Sequence, residues 1–262
     1  MKHILITNDD GFDASGLQAL IQALSPIAKL TIVAPAKNKS ACGHSLTLDK
    51  PLRMIKIEKD FYKMDDGSPT DCIFVSLNNL FTSKNRPDLV VSGINIGSNM
   101  GEDITYSGTA AGAMEAVLQG IPAIAISQVF TDGYKSLKTG FSYELAKDTI
   151  QKLAKKILEG EFPLASRKFL NVNIPLIDIN ECKGIKITKV GHRNYGHITH
   201  KHLDPREKEY YWIGAHPLSW KASKNKDCDF EAVKANYVSI SPCHLDLTSH
   251  NDIENLSTWI KG

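Results

Sequence analysis

The first 24 residues join a short buried strand to a helix through an acidic turn. Residues 4–7 are apolar or β-branched, which favours a strand, and Asn8-Asp9-Asp10-Gly11 follows directly. Between Leu17 and Leu24 the apolar residues recur at i, i+3, i+4 and i+7, the spacing of an amphipathic helix. A strand, a polar turn and a helix in this order are typical of an open α/β sheet, in which ligands bind at the carboxyl ends of the parallel strands.

The adjacent acids Asp9 and Asp10 have two interpretations that this stretch alone leaves open. Asn-Asp-Asp-Gly is a common turn sequence, because Asn, Asp and Gly all tolerate turn dihedral angles. Two adjacent carboxylates at the end of a buried strand also repel each other unless a cation lies between them. Oxygen ligands suit Mg²⁺, Mn²⁺ or Ca²⁺, so the pair is equally a candidate metal site.

The rest of the chain repeats the same alternation of buried strands and helices. The apolar runs typical of strands covered on both faces lie at 30–35, 89–92, 123–127 and 169–174. Helices are predicted from Ser68, where a capping-box spacing occurs, and over 110–118 and 143–159. Short strands are predicted at 53–57 and 61–64. The expected fold is a Rossmann-like, mostly parallel α/β sheet between layers of helices.

The segment from His192 to Lys226 departs from this pattern. It is rich in His, Lys, Tyr and Trp and has no helical period, so we predict an extended arm or hairpin that makes subunit contacts. Asp204, Glu207 and Glu209 interrupt its basic residues, which argues against a nucleic-acid surface. We therefore predict one α/β domain over 1–262, with a core over about 1–190, and an oligomerisation arm and C-terminal segment over about 191–262.

Composition excludes several classes of protein. The formal net charge is +2, which gives no sign of a polyanionic partner. The first strand begins three residues after the start, so we expect no signal peptide, and no apolar run is long enough to span a bilayer. The five cysteines are scattered and form no CxxC pair. These features predict free thiols in a cytoplasmic protein, without a membrane or nucleic-acid partner.

Polar side chains follow three of the predicted strands. Asp9 and Asp10 follow the first strand, Ser40 lies in the loop after the second, and Asn95 and Asn99 follow the strand that ends at position 92. Because the carboxyl ends of parallel strands meet at one edge of the sheet, these groups are expected to face one crevice. Two carboxylates, a hydroxyl and an amide oxygen, completed by water, make an octahedral shell for a hard cation.

A helix N-terminus at Ser107-Gly108-Thr109 is expected near this crevice, and its free N–H groups suit a phosphate. A hard cation beside a phosphate cradle is typical of phosphoryl transfer or phosphate-ester hydrolysis. Other nucleotide and hydrolase motifs do not fit. Gly93, Gly97 and Gly101 lack the GxGxxG spacing, no GK[ST] follows a glycine-rich loop, and there is no GxSxG elbow or EF-hand spacing.

Five motifs in this order resemble the SurE family of survival-protein 5′-nucleotidases. The motifs are Asn8-Asp9-Asp10-Gly11, the loop from Ala34 through Ser40 to Thr47, Gly67-Ser68-Pro69-Thr70-Asp71-Cys72, the segment from Ser92 to Gly101, and Tyr106-Ser107-Gly108-Thr109. The later segments 211–214 and 237–242 are also similar to the family, so the resemblance covers nearly the whole chain.

The resemblance implies a Rossmann-like core, one divalent metal ion per subunit and hydrolysis of nucleoside 5′-monophosphates to nucleoside and phosphate. It implies metal ligation by Asp9, Asp10, Ser40 and Asn95, with Mg²⁺ and Mn²⁺ both open because both take oxygen ligands. It also implies assembly into a homodimer or homotetramer through the arm and the C-terminal segment. His44, in a loop that varies in the family, is assigned no role.

Two mechanisms and two classes of function stay open. Asp9 and Asp10 are the predicted catalytic pair, which would hold the metal and accept a proton from water; alternatively, Asp9 would form an aspartyl-phosphate. Substrate phosphate would be bound by Asn99 and by Ser107-Gly108-Thr109. The alternative function is a non-catalytic nucleotide-binding regulatory module. Activity on 3′-nucleotides and short polyphosphate, and the preferred base, also stay open.

Overall fold

The computed structural model describes residues 1–130, 142–160, 162–195, 199–213, 219–222 and 227–261. The strands within these ranges are β1 (His3–Thr7), β2 (Lys29–Pro35), β3 (Arg53–Glu58), β4 (Phe61–Asp65), β5 (Leu89–Ile96), β6 (Ala123–Gln128), β7 (Lys168–Ile174), β8 (Ile185–Ile187), β9 (Thr199–Leu203), β10 (Glu209–Ile213) and β11 (Val238–His244). The α-helices are α1 (Ser15–Leu24), α2 (Pro69–Asn79), α3 (Gly108–Leu118), α4 (Glu144–Leu158), α5 (Asp229–Lys234) and α6 (Ile253–Lys261).

Nine of the described strands form one twisted sheet in the order β3-β4-β2-β1-β5-β6-β7-β11-β8. Neighbouring strands are parallel except in the pairs β3–β4 and β7–β11, so the predicted mostly parallel α/β fold is confirmed. From β1 the chain goes to β2 on one side and later returns to β5 on the other side. The crevice between the carboxyl ends of β1 and β5 is therefore the topological switch point, where such sheets bind ligands.

Alternating side chains of β1 build the two halves of the core. Ile4 and Ile6 are fully buried in the cluster that includes α1 and α4. Leu5 points to the opposite face, into the cluster that includes α2 and α3. Strand side chains alternate between faces, so a parallel strand covered by helices on both sides must be apolar at every position.

Strand β5 is longer than the sequence predicted, because it runs through the glycine-rich segment as far as Ile96. Its register with β6 shifts between Ser92 and Asn95. Gly93 has a φ of +139°, and a Cβ there would overlap the carbonyl oxygen of Ile126. The glycine thus lets the strand continue past an irregularity. As a result, Asn95 pairs with Ser127 within the sheet and does not lie in a free loop.

The chain after residue 190 contributes both to the sheet and to exposed elements. Strand β11 lies between β7 and β8, while β9 and β10 form a separate antiparallel hairpin whose residues are all exposed. Helix α5 was not predicted, because six residues are too few to show a helical period. The parts of the predicted arm at 196–198, 214–218 and 223–226 lie outside the described residues. The domain and arm assignments stay predictions.

The sequence analysis predicted no membrane span. Among the described residues, none of the helices combines the length and apolar character needed to cross a bilayer.

Candidate active site

The acidic turn after β1 is a well-formed turn. The Asn8 side chain accepts a hydrogen bond from the Gly11 N–H at 3.3 Å, and its amide donates to the Gly11 carbonyl oxygen at 2.8 Å. The turn interpretation is therefore correct for the backbone, and the turn itself uses neither the Asp9 nor the Asp10 carboxyl group. Asp9 is 3% exposed, whereas Asp10 is half-buried.

Predicted site residues from four segments of the chain line one cavity of about 290 Å³ at the switch point. The lining includes Asp9, Ser40, Asn95, Asn99 and Ser107. The loop after β2 reaches this position because the Lys39 N–H donates to the carbonyl oxygen of Asp9 at 2.7 Å. The structure thus brings these five residues together, as the topology argument expected, while their chemical roles stay predictions.

Asp10 lies next to this cavity and is fastened to β5. Its Oδ2 atom accepts a hydrogen bond from the Ile96 N–H at 3.1 Å. Burial, and then the charge of Asp9, raise the pKa of Asp10 to about 6. Burial also raises the pKa of Asp9, although the Thr109 hydroxyl opposes this shift by donating to Asp9 Oδ1.

The donor set fits a hard divalent cation. Within the described part of the chain, neither carboxyl group has an ion-pair partner, so no positive side chain offsets the charge of the pair when both acids are ionised. The described residues also contain no cluster of three or more His, Cys, Asp and Glu side chains. A cation here would therefore take its remaining ligands from the neutral oxygens of Ser40 and Asn95, from water or from substrate. The Asn95 amide nitrogen donates to the Gly97 carbonyl oxygen at 3.0 Å, which leaves Oδ1 for such a role.

The N-terminus of α3 packs against Asp9. Ser107 caps the helix by accepting from the Ala110 N–H at 2.9 Å, and it also lines the cavity. Thr109 is fully buried, and its hydroxyl donates a hydrogen bond to Asp9 Oδ1. A Cβ at Gly108 would lie 2.8 Å from Asp9 Cβ and 3.0 Å from the Cys42 sulfur. A bulky residue at 108 would therefore disturb Asp9 directly, so a substitution there cannot report on phosphate binding alone.

Asn99 is held by a buried polar network that the sequence analysis missed. Its side-chain nitrogen donates to Ser127 Oγ at 2.7 Å, and its backbone N–H donates to Asn173 Oδ1 at 2.9 Å. The amide groups of Asn171 and Asn173 both donate to the Asn99 carbonyl oxygen. The signal was present in the sequence, since two asparagines interrupt the apolar pattern of β7.

The opposite wall of the cavity, also missed, is formed by a short 3-10 helix, Gly101–Thr105, and the residue after it. Asp103 and Tyr106 line the cavity from this side. Asp103 forms an ion pair with Arg193 and accepts a hydrogen bond from the Tyr195 hydroxyl at 2.7 Å. No local motif could have indicated these pairings, because the partners are about 90 residues apart in the chain.

His44 is exposed, and its Nε2 atom lies 3.1 Å from Glu115 Oε2. Glu115 is buried on α3 and also accepts from Gln119 at 2.9 Å. The contact therefore fastens the loop after β2 to α3.

The fold and the site together define an α/β protein of the mostly parallel type, with a cavity lined by polar side chains, including Asp9, at its topological switch point. The family model described as "Survival protein SurE" matches residues 4–197. The chain is 68% identical to "5′-nucleotidase SurE" of Aliarcobacter butzleri (strain RM4018), over the full length of both proteins. The chain belongs to the SurE family.

Further comparisons agree with this assignment. The chain is 58% identical to "5′-nucleotidase SurE" of Sulfurovum sp. (strain NBC37-1), over 99% of this chain and 98% of that protein. The crystal structure of "Sure Protein from Aquifex aeolicus" aligns with a TM-score of 0.83 and 40% identity, covering 99% of this chain and all of that one. The family and fold predicted from the sequence are thus confirmed.

Proposed function

We propose that this chain is a metal-dependent phosphomonoesterase that hydrolyses nucleoside 5′-monophosphates to nucleoside and phosphate. The observation that carries the proposal is the pair of adjacent acids, Asp9 and Asp10, beside the cavity that Ser107 also lines. The names of the relatives, which are 5′-nucleotidases, support the same reaction class. A site for anion binding alone has no use for two adjacent acids, because they would repel the anion.

The residues of the chain would act on the phosphate and on the attacking water. The N-terminus of α3 is a favourable place for the phosphate, since its dipole attracts anions and the Ser107 hydroxyl can donate to a phosphate oxygen. Asp10 lies beside the cavity and, when ionised, is able to accept the proton of the water. Asp9 is the alternative acceptor, and it is the nucleophile if the reaction is covalent.

Asp9, Asp10, Ser40 and Asn95 would hold one Mg²⁺ or Mn²⁺ ion per subunit. Such an ion supplies electrostatic stabilisation of the charge that develops on the phosphate. The buried acids explain why a cation is needed, because both become fully ionised only when a positive charge offsets their burial and mutual repulsion.

The test is phosphate release from 5′- and 3′-nucleoside monophosphates, short polyphosphate and p-nitrophenyl phosphate, with Mg²⁺, Mn²⁺ or EDTA. We expect hydrolysis of 5′-monophosphates that EDTA abolishes and added metal restores, with Asp9→Asn as the control for a contaminating phosphatase. Hydrolysis of a 5′-monophosphate made chiral at phosphorus with sulfur and oxygen isotopes then separates the two mechanisms. Direct attack by water inverts the configuration at phosphorus, whereas two successive displacements through an aspartyl-phosphate retain it. Nucleotide binding without phosphate release under any of the metals would instead favour the regulatory module.

We also propose a homodimer or homotetramer in which the hairpin of β9 and β10 contacts other subunits. The hairpin carries several exposed apolar side chains, which are Leu203, Tyr210, Tyr211, Trp212 and Ile213. Large exposed apolar patches on soluble proteins mark interaction surfaces, and aromatic residues are enriched there.

A further inference from the structure

The cavity at the switch point has an aromatic side. Tyr106 directly precedes the phosphate-facing Ser107 and lines the same cavity. Its side chain is 61% exposed. An exposed tyrosine is unremarkable by itself, but this ring stands at the edge of a polar cavity, next to the residue proposed to face the phosphate.

A second tyrosine holds this ring in position. The Tyr106 and Tyr195 rings are 6.4 Å apart at their centroids, with planes at 81°, which is a T-shaped contact. Tyr195 is fixed in turn, because its hydroxyl donates to Asp103 Oδ1 at 2.7 Å and the Arg193 guanidinium lies 5.4 Å from its ring centroid. A T-shaped pair leaves at least one face of a ring uncovered by its partner, and that face is available to a flat ligand.

We propose that Tyr106, positioned by Tyr195, is the stacking surface for the nucleobase of the substrate. The inference rests on the proposed function, because it requires a substrate whose phosphate lies at Ser107. A base joined to that phosphate through a ribose would extend along the wall to the neighbouring Tyr106. Aromatic stacking accepts every base, since each base has a π-face, so the surface selects nucleotides over other phosphate esters without selecting one base.

The pre-ordered ring has an energetic consequence. A side chain already fixed by neighbours loses less conformational freedom when the ligand binds, so more of the stacking energy appears as affinity. Tyr195 is therefore a positioning residue, whereas Tyr106 contacts the substrate. The ring contributes to substrate binding far from the reacting bond, so its loss should appear in KM for nucleotides.

The experiment compares AMP with ribose 5-phosphate, which keeps the sugar and phosphate but lacks the base. The variants are Tyr106→Leu, which removes the ring, and Tyr106→Phe, which keeps it. Phe74→Leu is the matched control, because it removes another partly exposed ring, on α2, that does not line the cavity. The readout is kcat/KM for AMP divided by kcat/KM for ribose 5-phosphate, measured with metal present.

Tyr106→Leu is expected to lower this ratio on the order of tenfold, through KM for AMP, and to leave ribose 5-phosphate unaffected. Tyr106→Phe and Phe74→Leu should keep the wild-type ratio. Tyr195→Leu should also lower the ratio, but less than Tyr106→Leu does. If Tyr195→Leu lowered kcat/KM equally for AMP and ribose 5-phosphate, the positioning role of Tyr195 would be overturned. An unchanged ratio in Tyr106→Leu, or an equal fall in Phe74→Leu, would overturn the stacking surface.

A second measurement separates the failure of this inference from the failure of the proposed function. Saturation-transfer NMR detects adenosine bound to the protein without any hydrolysis. We expect saturation of the base protons with wild type and Tyr106→Phe and a strong loss with Tyr106→Leu. If the wild type hydrolysed neither phosphate ester but showed this pattern, the nucleotidase proposal would fail and the stacking surface would stand. Equal saturation with wild type and Tyr106→Leu would reject the stacking surface.

Discussion

Asp9 is the single residue whose replacement best separates a metal site from a plain turn. It is 3% exposed, and burial raises the pKa of its carboxyl group. We expect Asp9→Asn to lower kcat by about 100-fold or more, the scale for losing one electrostatic contact to a transition state. Without metal, the variant should be at least as stable as the wild type at neutral pH, because a buried, repelling charge is removed.

The thermal response to metal checks this prediction. A ligand that binds only the folded state raises the melting temperature according to its affinity, so Mg²⁺ or Mn²⁺ should stabilise the wild type more than Asp9→Asn. Asp13→Asn is the control, since Asp13 is an exposed acid only four residues away. Equal stabilisation of wild type and Asp9→Asn, with activity retained, would mean that the turn binds no catalytic metal.

Asp71 is the residue that joins the loop after β2 to α2. Its side chain accepts hydrogen bonds from the Ser68 N–H and from both the N–H and the hydroxyl of Thr47. Asp71→Ala would leave these donors unsatisfied and remove half of the capping box, so we expect a loss of about 2–4 kcal/mol in unfolding free energy. Urea denaturation measures the change, with exposed Asp49→Ala as the control. If Asp71→Ala lost no more unfolding free energy than Asp49→Ala, Asp71 would not join the loop to α2.

At the scale of the elements, helix α1 packs directly against the backbone of β5, next to Asn95 of the proposed metal site. A Cβ at Gly16 would overlap the carbonyl oxygen of Ile94, which directly precedes Asn95. Glycine to alanine within a helix is usually stabilising, but here we expect Gly16→Ala to destabilise the fold by about 1–3 kcal/mol, because the helix must move away from the strand. Metal affinity should fall as well, since Asn95 would shift with β5.

Chemical denaturation and metal titration of the same variant test both parts of this prediction. Gln18→Ala is the matched control, because Gln18 is exposed on the same helix. A stabilised Gly16→Ala protein with wild-type metal affinity would show that α1 tolerates the added methyl group and does not position Asn95.

For the molecule as a whole, two elements near the end of the chain each carry several exposed apolar side chains. The hairpin of β9 and β10 presents Trp212 and Ile213, which are 66% and 84% exposed, and α6 presents Leu256 and Trp259. In the proposed oligomer, Trp212→Asp with Ile213→Asp should cause dissociation into smaller species, because charges are costly at an apolar interface. Light scattering after gel filtration measures the mass.

Arg206→Asp is the control for the hairpin, since it changes the charge at an exposed residue of the turn between β9 and β10. Substitution is preferable to deletion of 192–226, because His192 and Arg193 at the base of this segment are paired with Glu102 and Asp103 at the site. A double variant that keeps the wild-type oligomeric mass would exclude the hairpin from the interface.

The sequence by itself determined the local elements and the residue types of the site. The apolar periods predicted the strands and helices of the core to within a few residues, and Ser68 and Asp71 form the capping box that their spacing predicted. These features depend on dihedral preferences and on apolar periodicity over about ten residues, so neighbouring sequence is sufficient to specify them. The acids and small polar residues at strand ends could also be identified as candidate site residues, because their positions follow from the same local patterns.

Only the tertiary structure decided which of these groups became neighbours. The extension of β5 through Gly93, the support of Asn99 by Asn171 and Asn173, and the pairing of Tyr106 with Tyr195 all depend on contacts between distant parts of the chain. The order of strands is set by how helices and strands pack around one core, and local sequence does not encode it. The two acids of the proposed site could therefore be identified from sequence, whereas the pairing of Tyr106 with Tyr195 beside them depended on the fold.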